Sequence, residues 1–263
     1  GSVAQITTSS TKIASLNKQI SMMTAVAGGQ PPNDLLDQRD QLVSELSQIV
    51  DVKVLEQDNG KYNVFIGNGQ SLVTGDQAAT VKAVQSAADP TRTTVALVGL
   101  AGNVSELGED VITGGSLGGL MSFRAQTLIP TQNAIGRLAM AVSSEFNDQH
   151  NLGVDLNGVL GTDFFNSATP GIFTNAKNSG NLVLSGTVTD TSKLSTSDYS
   201  VQVTDVAGVL NYSVTRLSDK QSMGSFTTFP ISFDGVSLSQ ASGTAPAGDS
   251  FPVQPTPTRG RAM

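Results

Sequence analysis

The sequence has no cysteine, no tryptophan, a single histidine and only 14% charged residues. Without cysteine, the chain can form neither disulfides nor thiolate metal sites, and its one histidine cannot supply a site built from several histidines. Its net charge of −7 also disfavours nucleic acids and anionic membrane surfaces, which attract clustered lysine and arginine. These features argue against thiol enzymes, zinc enzymes, nucleic-acid-binding proteins and peripheral membrane proteins.

Long apolar runs and targeting patterns are also missing. No run approaches the ~20 residues that cross a bilayer, and the sequence does not open with a signal peptide pattern. Gly1-Ser2 is typical of a cloning remnant, so we expect the native N-terminus to lie upstream. A length of 263 residues favours two or three domains, with cores built from aliphatic residues and ten phenylalanines.

Three stretches have helical periodicity. Residues 3–27 and 33–50 are predicted to form a helical hairpin, because two glycines and two prolines separate them. Asn33 or Asp34 is the expected cap of the second helix. The third stretch begins at Ser116, its expected cap, and ends near residue 153; Pro130 is expected to kink it without dividing it.

The apolar residues of these stretches recur at spacings of three, four and seven, which predicts stripes that face a core or an interface. We expect the stripes of 35–50 and 117–146 to be core, and the first helix to share its outer side with neighbouring subunits. The predicted stripe comprises Ile6, Ile13, Leu16, Ile20, Leu35, Leu42, Leu46, Ile49, Leu117, Met121, Leu128, Ile135, Leu138, Val142 and Phe146.

The remaining sequence favours strands. Residues 51–113 alternate apolar and polar side chains around the turns Asp58-Asn59-Gly60 and Asn68-Gly69, which predicts a small antiparallel unit. Several short strand patterns follow residue 154, with Asp234-Gly235 as a tight hairpin turn and a Pro- and Arg-containing irregular end.

The predicted fold class is therefore α+β and multidomain. An elongated antiparallel helical bundle is formed by residues 1–50 and 114–153. Residues 51–113 are a small β insert, and residues 154–263 are a larger, sandwich-like antiparallel β domain.

Two patterns near the end of the third helix could suggest chemistry. His150, with Asp148 and Asp155, could act in acid–base catalysis or bind a metal, but a histidine that interacts with the helix dipole and the last carbonyls is favoured. Asp155-x-Asn157-Gly158 with Asp163 resembles the start of a calcium loop. Its twelfth position is asparagine rather than glutamate, so an Asx turn is favoured.

Gly114-Gly115-Ser116 precedes a helix and could bind an anion there. The motif lacks the following lysine and the βαβ context of a phosphate loop, so a flexible joint is favoured. We predict no catalytic, metal or cofactor-binding residues and no enzymatic activity.

Several motifs resemble one family. These are N-D-L-L-D-Q-R-D-Q-L-V-S-E-L-S at 33–47, T-G-G-S-L-G-G-L at 113–120, F-N-D-Q-H-N-L-G-V-D-L-N-G at 146–158 and D-F-F at 163–165. They are similar to the flagellar hook-associated protein 1 family, over residues 3 to 257. Pro130 departs from the unbroken helix that this resemblance implies.

The resemblance implies a structural protein of the bacterial flagellum that joins hook to filament as a ring of copies. It implies an extracellular location, export without a cleaved signal peptide, and outward-facing, antigenic β domains. The implied partners are hook protein, the second hook–filament junction protein, copies of itself, and an export chaperone that recognises a C-terminal helix. It also implies that this chain is a core fragment, monomeric because the terminal polymerising helices are missing.

Two alternatives remain open. Flagellins and the second junction protein carry related helices, so the chain could belong with either. An extracellular β-rich carbohydrate-binding or hydrolase module is the alternative from another class. It would need paired carboxylates or aromatic platforms, and the sequence offers only three tyrosines.

Overall fold

The computed structural model describes residues 1–30, 32–57, 60–109 and 111–256. Its helices and antiparallel sheets confirm the α+β class. The chain forms two compact units: unit 1 is Gly1–Ser86 with Thr91–Ala125, and unit 2 is Ala87–Pro90 with the described residues from Gln126 onward.

Unit 1 begins with helices α1 (Ser2–Val26) and α2 (Asn33–Ser47). The extended backbone of Pro32 occupies the position before α2, so Asn33 and Asp34 already lie inside the first turn. The prediction that either residue caps the helix is therefore wrong. The helix also ends before residue 50, where the N–H groups of Ile49 and Val50 both donate to the carbonyl of Leu46.

Two small antiparallel sheets follow in unit 1. The strands of the first, in spatial order, are β1 (Val52–Glu56), β2 (Tyr62–Ile66), β3 (Gln70–Thr74) and β4 (Gln77–Ala78). Those of the second are β5 (Thr80–Gln85), β6 (Thr93–Val98) and β7 (Val104–Leu107). The predicted Asn68-Gly69 turn joins β2 to β3, whereas Asp58 and Asn59 lie outside the described residues.

The helices and sheets of unit 1 share a single core. Ile6 and Leu46 pack together with strand residues such as Val64 and Leu72. The Thr7 hydroxyl also donates to the Val81 carbonyl and accepts from the Val81 N–H, both at 2.9 Å. The compact units therefore group the segments differently from the three predicted domains, since the β insert has no separate core from α1 and α2.

A buried polar clamp fixes this arrangement. The Asn17 side-chain amide donates to the carbonyls of Tyr62 and Gly75, and its oxygen accepts from the Tyr62 N–H and from Arg39. The Arg39 guanidinium lies 3.4 Å from the centre of the Tyr62 ring and donates to the Gly60 carbonyl. Polar groups removed from water need such partners, so the clamp specifies where α1 and α2 meet the sheet.

Helical backbone then extends from residue 115 to 151 in three parts: α3 (Gly115–Phe123), a π-helical turn (Arg124–Leu128) and α4 (Ile129–Asn151). Gly114 precedes α3, so the prediction that Ser116 caps it is wrong. The N–H groups of Ser116 and Leu117 donate instead to the carbonyls of Gln48 and Ile49, at 2.8 and 2.9 Å.

The glycine pair before α3 is explained by close packing. A Cβ on Gly115 would lie 2.3 Å from the Ile49 carbonyl carbon, and one on Gly114 would lie 2.8 Å from Asp51 Cβ. Both glycines also have positive φ, which side chains disfavour. The motif is thus a tight backbone junction rather than the flexible joint that we predicted.

Unit 2 contains two antiparallel sheets that share one core. The five-stranded sheet has the order β12 (Ser222–Phe226), β11 (Val209–Arg216), β10 (Tyr199–Val206), β15 (Ser250–Gln254) and β8 (Gly171–Ile172). The three-stranded sheet has the order β13 (Ile231–Phe233), β14 (Val236–Ser242) and β9 (Val183–Val188).

Inward-facing residues of both sheets meet in this core, among them Val201, Val203, Leu238 and Phe251. Asp234 and Gly235 join β13 to β14 with φ values of 38° and 77°. Positive φ at both positions is typical of a type I′ turn, which confirms the predicted hairpin.

Candidate interaction surface

One face of helix α4 contacts the rest of unit 2 through polar and small residues. The Asn133 amide donates to the Thr196 carbonyl at 2.9 Å and to Asp198 Oδ1 at 3.0 Å, and Arg137 donates to the Leu194 carbonyl at 3.0 Å. Gly136 lies on the same side, where a Cβ would come within 2.9 Å of Thr256 Cβ. This inner face therefore holds α4 against the β domain through hydrogen bonds and close backbone approach.

The inner face also organises the segment that follows the helix. Asn147 is buried, and its side-chain oxygen accepts from the N–H groups of Phe164 and Phe165 at 3.0 and 2.8 Å. Its amide donates to the Phe165 carbonyl at 2.8 Å. One asparagine thereby fixes the D-F-F motif against the end of α4.

The apolar residues of α4 and of the turn before it face outward. We call this set the outer stripe, and its members are between 41% and 66% exposed: Leu128, Ile135, Leu138, Val142 and Phe146. The prediction that these residues are core is wrong. The periodicity correctly separates two faces of the helix, but the polar face has specific partners in unit 2, so the apolar face is left outside.

The rest of the predicted stripe lies in unit 1. Its buried members are Ile6, Ile13, Leu16, Ile20, Leu46, Leu117 and Met121, whereas Leu35, Leu42 and Ile49 are half-buried. Ile6, Ile13, Leu46, Leu117 and Met121 belong to the shared core of the helices and sheets, and Leu42 and Ile49 pack against it. The outer stripe belongs to unit 2.

A short apolar hairpin follows α4. Val154 and Leu160 form an isolated antiparallel bridge, and Asp155 Oδ1 accepts from the N–H groups of Asn157 and Val159, both at 2.8 Å. These bonds, that from Val159 first, hold the pKa of Asp155 below its usual value. The carboxylate is thus engaged by its own loop, which confirms the favoured Asx turn; no group of three potential metal-ligating side chains occurs among the described residues.

The apolar hairpin carries side chains that its own fold leaves uncovered. Five of them are between 61% and 107% exposed: Leu152, Val154, Leu156, Val159 and Leu160. Exposed apolar groups are common singly, but a concentration of them marks an interaction site. The sequence motif was recognised as a turn, whereas its apolar tips were not predicted to be an exposed surface.

Two protein-family models match consecutive parts of the chain. The first, described as the flagellar hook-associated protein FlgK helical domain, matches residues 1–165. The second, described as the D2-like domain of flagellar hook-associated protein 1, matches residues 173–255. The chain belongs to the flagellar hook-associated protein 1 family.

Family relatives match almost the whole of this chain. Flagellar hook-associated protein 1 of Escherichia coli K12 is 46% identical over 260 residues, and that of Salmonella typhimurium LT2 is 43% identical over 262 residues. Each alignment covers 97% of this chain and 46% of the relative. The chain therefore spans about half the length of these curated relatives.

A solved structure shows the same fold. The flagellar hook junction protein FlgK from Burkholderia pseudomallei superimposes with a TM-score of 0.86 at 38% identity, over 97% of this chain and 46% of that one. The helical-domain match of the hook-associated protein 1 family ends at residue 165. It therefore includes the outer stripe and the apolar hairpin, although α4 packs within unit 2.

His150, near the end of α4, contacts the loop that follows the helix. Its Nδ1 lies 2.7 Å from the Thr162 carbonyl, so the predicted interaction with the last helix carbonyls is replaced by one with the following loop. Phe146, Phe164 and Phe165 form an aromatic cluster with ring centres 5.0–5.3 Å apart. The D-F-F motif thus packs against the end of α4.

Sequence reasoning missed Asn133 and Asn147, which dock α4 on unit 2. A usable signal was present, since residues 133, 136, 140 and 147 recur at helical spacing on the side opposite the outer stripe.

No helix within the described ranges is long and apolar enough to span a membrane.

Proposed function

We propose that the full-length protein containing this chain is a structural component of the bacterial flagellum that joins hook to filament. Membership of the hook-associated protein 1 family supports this role, as does the similarity to a protein described as a flagellar hook junction protein. The observation that carries it is the outer stripe, because apolar side chains exposed along a helix are suited to assembly.

The outer stripe suits a helical partner. Leu128, Ile135 and Val142 are seven residues apart, which is the spacing of helices that pack side by side. Each such side chain contributes about 1.5–3 kcal/mol when it passes fully from water into an interface. Burying the stripe against helices of the assembled flagellum would therefore supply substantial binding energy from one chain, multiplied over a ring of copies.

The role we propose is mechanical rather than enzymatic. The protein acts outside the cell, after export without a cleaved signal peptide, by packing between hook protein, the second hook–filament junction protein and copies of itself. Before assembly, an export chaperone binds a C-terminal segment of the full-length protein. The β domain of unit 2 faces outward and is accessible to antibodies.

A bacterium that lacks its own hook-associated protein 1 provides the test. The full-length protein is supplied with Leu138→Glu and Val142→Glu together, and filaments attached to hooks are counted by electron microscopy. We expect at least a tenfold loss of attached filaments. A tenfold change in binding affinity corresponds to about 1.4 kcal/mol, and placing two charges in an apolar interface costs more than that.

A matched control places the same two charges at exposed polar positions of the sheets of unit 2, away from α4. Gln202→Glu in β10 and Thr187→Glu in β9 should leave filament attachment unchanged. The amount of each variant that is exported is measured in parallel. Normal attachment by the exported Leu138→Glu/Val142→Glu protein would refute the proposed role of the stripe.

A further inference from the structure

The apolar hairpin lies in an acidic stretch of the chain. Between residues 137 and 177 the sequence has no lysine or arginine and four carboxylates: Glu145, Asp148, Asp155 and Asp163. All four are exposed, and none of them forms an ion pair with a basic side chain of the described ranges. The exposed leucines and valines of the hairpin are therefore accompanied by negative charge that no described lysine or arginine neutralises.

Helix α1 has the opposite charge. It contains Lys12 and Lys18 and no acidic residue, and the first carboxylate of the sequence comes only at Asp34. Both lysines are exposed, and neither is paired with a carboxylate among the residues that the structure describes. The chain as a whole carries a net charge of −7, so this helix is a local positive surface on an acidic protein.

The lysines share the exposed side of α1 with apolar side chains. Lys18, Met22 and Val26 are four residues apart, which places them on one side of the helix. Met22 is 52% exposed and Val26 is 89% exposed. Methionine is flexible and polarizable, so it adapts well to apolar partners of different shape. We call the set Lys12, Lys18, Met22 and Val26 the basic face of α1.

Charge indicates which partner fits the hairpin. Two copies of an acidic chain repel one another in general. A contact between them is favoured where a positive surface of one copy meets a negative surface of the other. The basic face of α1 offers positive charge and exposed apolar groups on the same side of one helix. A second copy of this chain therefore presents the two properties that complement the hairpin and the end of α4.

We propose that the apolar hairpin of one copy binds the basic face of α1 on a second copy. The leucines and valines of the hairpin cover Met22 and Val26, and the two lysines approach the carboxylates at the end of α4. Because the two surfaces differ, the contact is head-to-tail, and such contacts close into a ring or continue as an open chain. The inference rests on the proposed packing between copies, but it involves no residue of the outer stripe.

Disulfide cross-linking between purified chains tests the contact, because it traps weak association and the chain has no native cysteine. Met22→Cys protein is mixed with Leu156→Cys protein, and the linked peptides are quantified by mass spectrometry after mild oxidation. We expect the 22–156 linkage to exceed, by about fivefold, the linkage formed when Val206→Cys replaces Leu156→Cys. Val206 is a matched control, since it is 60% exposed beside the turn between β10 and β11.

Reversal of charge identifies the groups that face one another. Lys12→Glu with Lys18→Glu, made in the chain that carries the α1 cysteine, should lower the 22–156 linkage about fivefold through repulsion. Glu145→Lys with Asp148→Lys, made in the chain that carries the hairpin cysteine, should restore it, because the charges are then exchanged rather than lost. Circular dichroism shows that each variant remains folded.

Four results would overturn the proposal. Equal linkage of residue 22 to residues 156 and 206 would show no preference for the hairpin, and a dominant 156–156 linkage would show that the hairpin pairs with itself. Failure of the second charge reversal to restore the linkage would separate the lysines from the carboxylates of α4. In the full-length protein, a Leu156→Cys thiol that is protected from alkylation and gives no 22–156 linkage would show that another segment of the same polypeptide covers the hairpin.

Failure of this contact and failure of the junction role are distinguishable. Cross-linking is measured on purified chains whose outer stripe is unchanged, whereas the junction role is measured as filament attachment by variants of that stripe. A chain that does not form the 22–156 linkage can still attach filaments through the outer stripe.

Discussion

The clearest electrostatic feature at the scale of single residues surrounds Arg216 at the end of β11. Its Nη2 lies 2.7 Å from Asp219 Oδ2, and its Nη1 lies 3.2 Å from Asp234 Oδ2. Asp234 also accepts from the Tyr199 hydroxyl at 2.5 Å. Burial, and next the bond to Asp234, raise the pKa of Tyr199, while the bond with Arg216 lowers the pKa of Asp219 to about 2.

The lowered pKa of Asp219 predicts an acid-dependent contribution to stability. A carboxyl whose folded pKa lies below its ordinary value of 3.8 stabilises the fold above that value, and the contribution is lost as the pH falls from about 4 towards 2. Asp219→Asn should therefore lower the melting temperature at neutral pH and reduce its fall between pH 5 and pH 2.5. Differential scanning calorimetry across this range measures both effects.

A second carboxyl provides the comparison for this measurement. Asp148 is exposed on α4 and lies outside the Arg216 cluster, so Asp148→Asn should keep the acid dependence of the unmodified chain. If Asp219→Asn loses as much melting temperature on acidification as the unmodified chain does, the ion pair does not stabilise the fold.

Buried polar residues mark a limit of prediction at this scale. Ile6 and Leu46 were predicted correctly as members of an apolar stripe, because periodicity alone identifies them. Asn17 and Arg39 are equally buried, yet their partners include Tyr62, which is 45 positions from Asn17. A buried amide is stable only where a distant backbone supplies its partners, and sequence spacing does not report that.

Two glycines within helices allow the packing of α4 to be tested at the scale of elements. Gly119 in α3 has open space where a Cβ would lie, whereas a Cβ on Gly136 in α4 would meet Thr256 Cβ at 2.9 Å. Gly119→Ala should stabilise the protein by about 0.5–1 kcal/mol through helix propensity alone. Gly136→Ala should instead destabilise it by about 1–2 kcal/mol, since overpacking outweighs propensity.

Urea denaturation followed by far-ultraviolet circular dichroism compares the two alanine variants. The same chemical change is made in both, so the difference in sign isolates the contact of α4 with residue 256. A Gly136→Ala protein that is stabilised as much as Gly119→Ala would show that the inner face of α4 does not pack closely in solution.

The orientation of α4 shows what can and what cannot be predicted for an element. Its apolar period from Leu128 to Phe146 is visible in the sequence and keeps its phase beyond Pro130. The direction of that stripe depends on which surface receives the opposite face. Hydrogen bonds from Asn133 and Asn147 to loops of unit 2 decide it, and those loops lie 17 to 65 residues away in sequence.

At the scale of the whole molecule, two separate cores indicate two units that unfold separately. Leu46 is fully buried in the core of unit 1, and Leu238 is fully buried in that of unit 2. Replacing either by alanine should cost about 2–5 kcal/mol, because the side chain leaves a cavity that neighbours only partly fill. The compact units further predict that each loss remains within the unit that contains the substitution.

Hydrogen–deuterium exchange tests this prediction, because exchange measured peptide by peptide reports the free energy of local unfolding separately for each unit. Leu46→Ala should speed exchange in residues 1–86 and 91–125 alone, and Leu238→Ala should speed it from residue 126 onward. Leu100→Ala and Leu160→Ala remove leucines that are more than half exposed, so neither should change the exchange of either unit. If Leu46→Ala lowers protection equally throughout the chain, the units unfold as one cooperative body, and independent folding has to be abandoned.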